Sequence, residues 1–84
     1  MTVKSVLYTR TAATALRKHA NRAKLIRTKI AQYADDASSQ GNNVKLLAGV
    51  DAKRLRVGDF RVIFTETTDT ITILDVGLRG GIYE

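Results

Sequence analysis

The sequence predicts an α+β domain whose N-terminal helices cover one face of an antiparallel sheet. Three observations carry this reading. Leu16, Ala20, Ala23, Ile26, Ile30 and Tyr33 recur at three- and four-residue steps, the signature of a helical stripe. Residues 53–64 (KRLRVGDFRVIF) alternate apolar and polar side chains around a Gly58-Asp59 turn signal. The helical pattern comes first and the strands follow as a meander, which places helices on one side of a sheet rather than between parallel strands.

With 84 residues, 1–84 forms one domain with a single core. Stability at that size is marginal, so most large apolar side chains are needed for packing. There is no cysteine, which removes disulfides and thiolate metal sites and suits a cytoplasmic protein. A single histidine makes a zinc site unexpected, and no cofactor is implied. The start MTVKSVLYTR lacks the apolar core of a signal peptide, and no run approaches the roughly 20 apolar residues of a membrane span. A soluble domain with no membrane partner is expected.

Charge is the strongest compositional clue. Fourteen Lys and Arg against eight Asp and Glu give a net charge of +6. Residues 1–30 hold eight cations (Lys4, Arg10, Arg17, Lys18, Arg22, Lys24, Arg27, Lys29) and no carboxylate. Such a domain attracts a polyanion or an acidic protein.

Residues 3–9 (VKSVLYT) are rich in β-branched and aromatic side chains and read as a first strand. Thr9 or Thr11 can then cap a helix. The segment HANRA (19–23) reads as a tight turn that divides the helical stretch into an antiparallel pair. The polar run DDASSQGNN (35–43) reads as a loop. VKLLAG (44–49) reads as irregular or briefly extended chain that packs Leu46 and Leu47 under the sheet. A further turn at Thr67-Thr68-Asp69 leads into TITILDV, the last strand.

Gly58 stands where a type II′ hairpin turn requires glycine. Counting outward pairs Val57 with Phe60, Arg56 with Arg61, Leu55 with Val62 and Arg54 with Ile63. Alternation then puts Leu55, Val57, Phe60, Val62 and Phe64 on one face and Arg54, Arg56 and Arg61 on the other. Like charges directly opposite weaken a sheet. Three converging guanidinium groups therefore read as an anion site, since they bind phosphate in bidentate fashion and stay charged at any working pH.

Other chemistries are not suggested. Gly80-Gly81 lacks the lysine and following helix of a phosphate loop. No Ser-His-Asp or Cys-His set can be assembled. His19 reads as a solvated surface residue, Asp59 as a turn residue, and Asp75 as an ion-pair partner for a nearby arginine.

The segments RLRVGDFRVIF (54–64), ITILDVGLR (71–79) and the terminal Ile82-Tyr83, preceded by NNVKLLAG (42–49), resemble the RelE/ParE superfamily of bacterial type II toxins. The likeness covers nearly the whole chain as a pattern of many weak positions. It implies two N-terminal helices packed on one face of a three- to four-stranded antiparallel sheet, and a cognate antitoxin as partner. RelE-like members cut mRNA in the ribosomal A site, whereas ParE-like members poison DNA gyrase without cutting RNA.

The resemblance matches Arg54 and Arg56 to the basic residues of the family's first central strand. It matches Arg61 to the arginine after the next strand's opening aromatic, Arg79 to the arginine of the VG-x-R segment, and Tyr83 to the tail tyrosine. These five are the implied catalytic residues. Lys53, Arg54, Arg56, Arg17, Lys18 and Arg22 are the expected RNA contacts. Arg61 and Arg79 would stabilise charge on the phosphate, and general acid–base work falls to Tyr83 or Lys53. The chain departs from many relatives in having Leu78 where they carry histidine or lysine, and in its Arg-x-Arg first strand and short Gly80-Gly81 loop. The leading expectation is a ribosome-dependent mRNA endonuclease. The alternatives are a gyrase poison and a decayed toxin that only binds its antitoxin.

Overall fold

A computed structural model describes residues 4–36, 38, 41, 43–47, 49 and 51–78. The chain runs β1 (Ser5–Tyr8), α1 (Arg10–Lys18), α2 (Ala20–Asp35), β2 (Val44–Leu46), β3 (Lys53–Val57), β4 (Phe60–Glu66) and β5 (Thr70–Leu78). The α+β expectation holds, with both helices on one face of the sheet. The sheet itself has five strands in the order β1-β5-β4-β3-β2. Three of its pairings are antiparallel, and β1 lies parallel to β5. A parallel pair needs a long connection, here almost the entire chain, so no local signal announces it.

Thr9 ends β1 and starts α1. Its hydroxyl accepts from Ala12 N at 3.1 Å and donates to Ile73 O at 2.9 Å, so one side chain caps the helix and ties it to β5. Thr9→Ala removes both roles and is expected to cost about 1 kcal/mol. Thermal unfolding checks this, and an unchanged midpoint would refute the double role. The helix break falls at His19 alone, whose N–H still bonds back to Ala15 O and Leu16 O. Asn21 and Arg22 are already inside α2.

The hairpin register is the one counted from the sequence: Val57↔Phe60, Arg56↔Arg61, Leu55↔Val62 and Arg54↔Ile63. Gly58 has φ +58°, a backbone that only glycine adopts without strain. Leu55, Val57, Phe60, Val62 and Phe64 are all buried against Leu16, Ile26, Ile30 and Tyr33 of the helices. Phe64 meets the Tyr33 ring edge-on at 5.3 Å between centroids.

Two packing expectations are corrected. Leu46 does not go under the sheet: it sits on the short edge strand β2 and is 74% exposed. Leu47 is half-buried, but on the face away from the helices. There it joins Ala52, Ile63 and Leu74 in a second small cluster, closed by the Leu47 N–H to Ala52 O bond of 3.0 Å. A bulge between Ile63 and Phe64 makes this possible, because Leu74 has no register partner and β5 bends there.

Candidate nucleic-acid interface

The face away from the helices carries the arginines. A two-residue turn makes Val57–Phe60 the hydrogen-bonded closing pair. Arg56–Arg61 is therefore a non-hydrogen-bonded pair, the kind in which side chains come closest, with Cα atoms about 4.5 Å apart. Arg61 in turn pairs with Gly77 on β5, so one row across three strands reads Arg56–Arg61–Gly77. The next row reads Lys45–Arg54–Ile63–Asp75 across four strands. Arg54 is half-buried in that row, and its Nε is buried without a hydrogen-bond partner. Arg56 is exposed and Arg61 half-buried.

Lys45 was not anticipated. Only the β2–β3 pairing, Lys45↔Arg54, brings it beside the arginines, and a three-residue strand leaves too little pattern to foresee it.

Lys53 stands on the opposite face. It has the parity of Leu55 and Val57, so alternation along β3 already turned it toward the helices. There Glu66, at the end of β4, gathers it into a polar centre. Glu66 Oε1 accepts from Lys53 Nζ at 2.8 Å and from the Tyr33 hydroxyl at 2.5 Å, and Oε2 accepts from Lys4 Nζ at 2.5 Å. The Glu66 side chain is only 9% exposed. Burial by itself would raise its carboxyl. The hydrogen bonds from Lys4, Lys53 and Tyr33, with the charge of Lys53, outweigh burial and pull it down to about 2. The Tyr33 hydroxyl is pushed up, by burial first and then by its bond to Glu66. This centre joins α2, β3, β4 and the residue before β1. Lys53 is thereby committed to the fold and separated from Arg54, Arg56 and Arg61.

The helix cations lie elsewhere again. Arg17 and Lys18 are exposed in the last turn of α1, with Arg17 bonded to Thr14 Oγ1 at 3.3 Å, and Arg22 is exposed in the first turn of α2. Lys4 pairs with Glu66, and the Arg27 guanidinium lies 4.7 Å over the Tyr8 ring. At least two of the eight N-terminal cations thus serve the fold.

His19 is half-buried rather than solvated. Its ring meets Phe60 edge-on at 4.9 Å. Asp75 does not pair with an arginine among the described residues: its Oδ1 accepts from Val76 N at 2.8 Å. Arg79 and Tyr83 lie outside the described residues. No helix among the described residues is long and apolar enough to cross a membrane.

The chain is similar in fold to solved chains of three complexes. One belongs to the toxin–antitoxin complex RelBE2 from Mycobacterium tuberculosis, with a TM-score of 0.66, 24% identity, and 94% of each chain covered. Another belongs to the archaeal RelE–RelB complex from Pyrococcus horikoshii OT3, with a TM-score of 0.67 and 24% identity over 94% of this chain and 98% of that one. A third belongs to the RelB–RelE antitoxin–toxin complex from Methanococcus jannaschii, with a TM-score of 0.59 and 26% identity over 92% and 94%. No family model and no curated protein sequence matches the chain.

Proposed function

We propose that this chain is the toxin of a type II toxin–antitoxin pair and that it cuts mRNA on the ribosome. The observation that carries this is the pair of basic rows on the open sheet face, where Lys45, Arg54, Arg56 and Arg61 converge with Arg56 opposed to Arg61. Opposed cations destabilise a sheet, so their presence favours a polyanion as the binding partner. The neighbours in fold come from toxin–antitoxin complexes, which supports the class. The basic face favours the toxin over its partner. The partners would be a cognate antitoxin, the ribosome and mRNA, and the place the cytoplasm.

In the proposed reaction an RNA 2′-oxygen attacks the adjacent phosphorus and the P–O5′ bond breaks. The products are a cyclic phosphate and a 5′-hydroxyl. The attacking oxygen loses a proton and the departing oxygen gains one. Charge develops on the non-bridging oxygens, where Arg61 and Arg79 would act as preorganised cations. Arg54 and Arg56 would hold the flanking backbone. Arginine does not readily release its proton. With Lys53 held by Glu66 on the other face, proton transfer falls to Tyr83.

Induction of the wild-type chain is expected to arrest growth and to leave translated mRNAs with new 5′-hydroxyl ends. Arg61→Ala is expected to restore growth and lower cleavage about 100-fold or more while the circular dichroism spectrum is kept. Arrested cells with intact messages would overturn the reading. Filamentation with DNA breaks would instead favour the gyrase-poison alternative.

A further inference from the structure

β1 stops at Tyr8, whose partner is Ile73, so among the described residues β5 is an edge of the sheet from Leu74 onward. A cleft of about 480 Å³ opens between this free edge and α1, lined by Arg10, Thr14, Lys18, His19, Asp75 and Gly77 among others. Arg10, Thr14 and Lys18 fall four residues apart and so occupy one side of α1. The cleft thus has two cations on the helix wall, a carboxylate on the strand wall and an imidazole at the α1–α2 junction.

Gly77 belongs both to this cleft and to the row Arg56–Arg61–Gly77. It lies one strand spacing, about 4.8 Å, from Arg61, and it places no side chain between the arginine row and the cleft. A strand of RNA whose phosphate lies at Arg61 can therefore cross the edge of β5 at Gly77 and set its next nucleotide against α1.

We infer that the α1–β5 cleft is a nucleotide subsite for single-stranded RNA, continuous with the arginine row and selective for bases that carry an exocyclic amino group. The inference rests on the nuclease reading given above and deepens it. Arg10 and Lys18 each hold one backbone phosphate. Asp75 reads the base: one of its oxygens caps Val76 N, and the other has no partner among the described residues and can accept from an amino group. A carboxylate accepts from the amino group of cytosine and repels the carbonyl oxygens of uracil. The mixture of carboxylate and cations separates this cleft from a plain anion site, and the hydroxyls of Thr11 and Thr14 add donors for a ribose.

The test is a titration of the ¹⁵N-labelled chain with 2′-O-methyl hexanucleotides, which lack the attacking hydroxyl, as oligo-C and as oligo-U. Amide shifts are expected at Thr14, His19 and Gly77 together with Arg56 and Arg61, with oligo-C bound about tenfold more tightly. The double change Arg10→Ala and Lys18→Ala is expected to weaken binding about tenfold or more. It should also reduce the slope of log affinity against log salt by about 1.4, the value for two single-strand phosphates. Asp75→Asn, which still caps Val76, should erase the preference for oligo-C. Shifts confined to the arginine rows would overturn the cleft and leave the nuclease reading standing. Absence of shifts on both surfaces would also overturn the cleft, while the nuclease reading, which is ribosome-dependent, is decided by the induction experiment above. An acidic peptide that shifts the cleft amides where neither oligonucleotide does would make the cleft a protein-docking site and refute the inference.

Discussion

Arg56→Glu is expected to make the domain more stable and, at the same time, to abolish its cleavage of mRNA. The non-hydrogen-bonded pairing of Arg56 with Arg61 sets two cations side by side, and the substitution turns that repulsion into attraction. Cross-strand charge pairs are worth about 0.2–1 kcal/mol each way. Arg56 is exposed, so solvent screening keeps the total near 1 kcal/mol. For a chain of this size that is a rise in melting temperature on the order of 5 °C. Cleavage should fall by about two to three orders of magnitude, because a carboxylate at position 56 would repel the flanking phosphate and stand directly beside Arg61, where charge accumulates on the reacting one. The opposite signs matter: a fan of arginines that only solubilises the sheet would gain stability and lose nothing. Calorimetry on the purified chain and mapping of 5′-hydroxyl mRNA ends after induction read the two effects. A variant that is less stable, or one that cuts as well as the wild type, would refute the anion-site reading.

The second large effect is at Glu66. Glu66→Gln leaves Lys4 and Lys53 without their carboxylate, although an amide oxygen can still accept from Tyr33. Lowering the carboxyl from 4.5 to about 2 corresponds to about 3 kcal/mol in favour of the folded state. Removing one partner from a buried ion pair costs a similar amount. The melting temperature should fall by on the order of 15 °C at neutral pH. The folded carboxyl lies below its unfolded value, so its stabilisation is complete above about pH 4.5 and disappears as pH falls toward about 2. Wild type and variant should therefore converge in acid. Urea unfolding at pH 7 and pH 3 checks this, and a gap that stays constant with pH would show that the ion pairs are not its source.

Much of the sheet's central hairpin was legible in the sequence because the cause is local. A two-residue turn with glycine leaves one register, and alternation then assigns every side chain between Arg54 and Phe64 to a face. The same rule bears on Lys53, expected among the RNA contacts, and on Glu66, which the sequence reading left out. Lys53 shares parity with Leu55 and Val57, and Glu66 shares parity with Phe64, so both were marked for the helix face. Two opposite charges at core-facing positions are the signal of a buried pair.

Other features depend on contacts that no local pattern encodes. The Lys45↔Arg54 pairing arises from a three-residue strand, too short for a periodicity to show. Leu46 and Leu47 look alike in sequence. Only the turn back to Ala52 decides that Leu47 is packed on Ile63 and Leu74 while Leu46 faces solvent.

By itself, then, the sequence determined the fold class, the break between the helices, the hairpin register and the gathering of Arg54, Arg56 and Arg61 on one face. Each follows from side-chain period and turn stereochemistry within a dozen residues. Tertiary structure alone decided that β1 lies parallel to β5 and ends early, that Glu66 gathers Lys4, Lys53 and Tyr33, and that α1 stands over the free edge of β5 to form a cleft. Those depend on residues from 13 (Lys53 and Glu66) to 67 (Arg10 and Gly77) positions apart in the chain meeting in space. Their closure is driven by the burial of the shared core, which has no sequence period of its own.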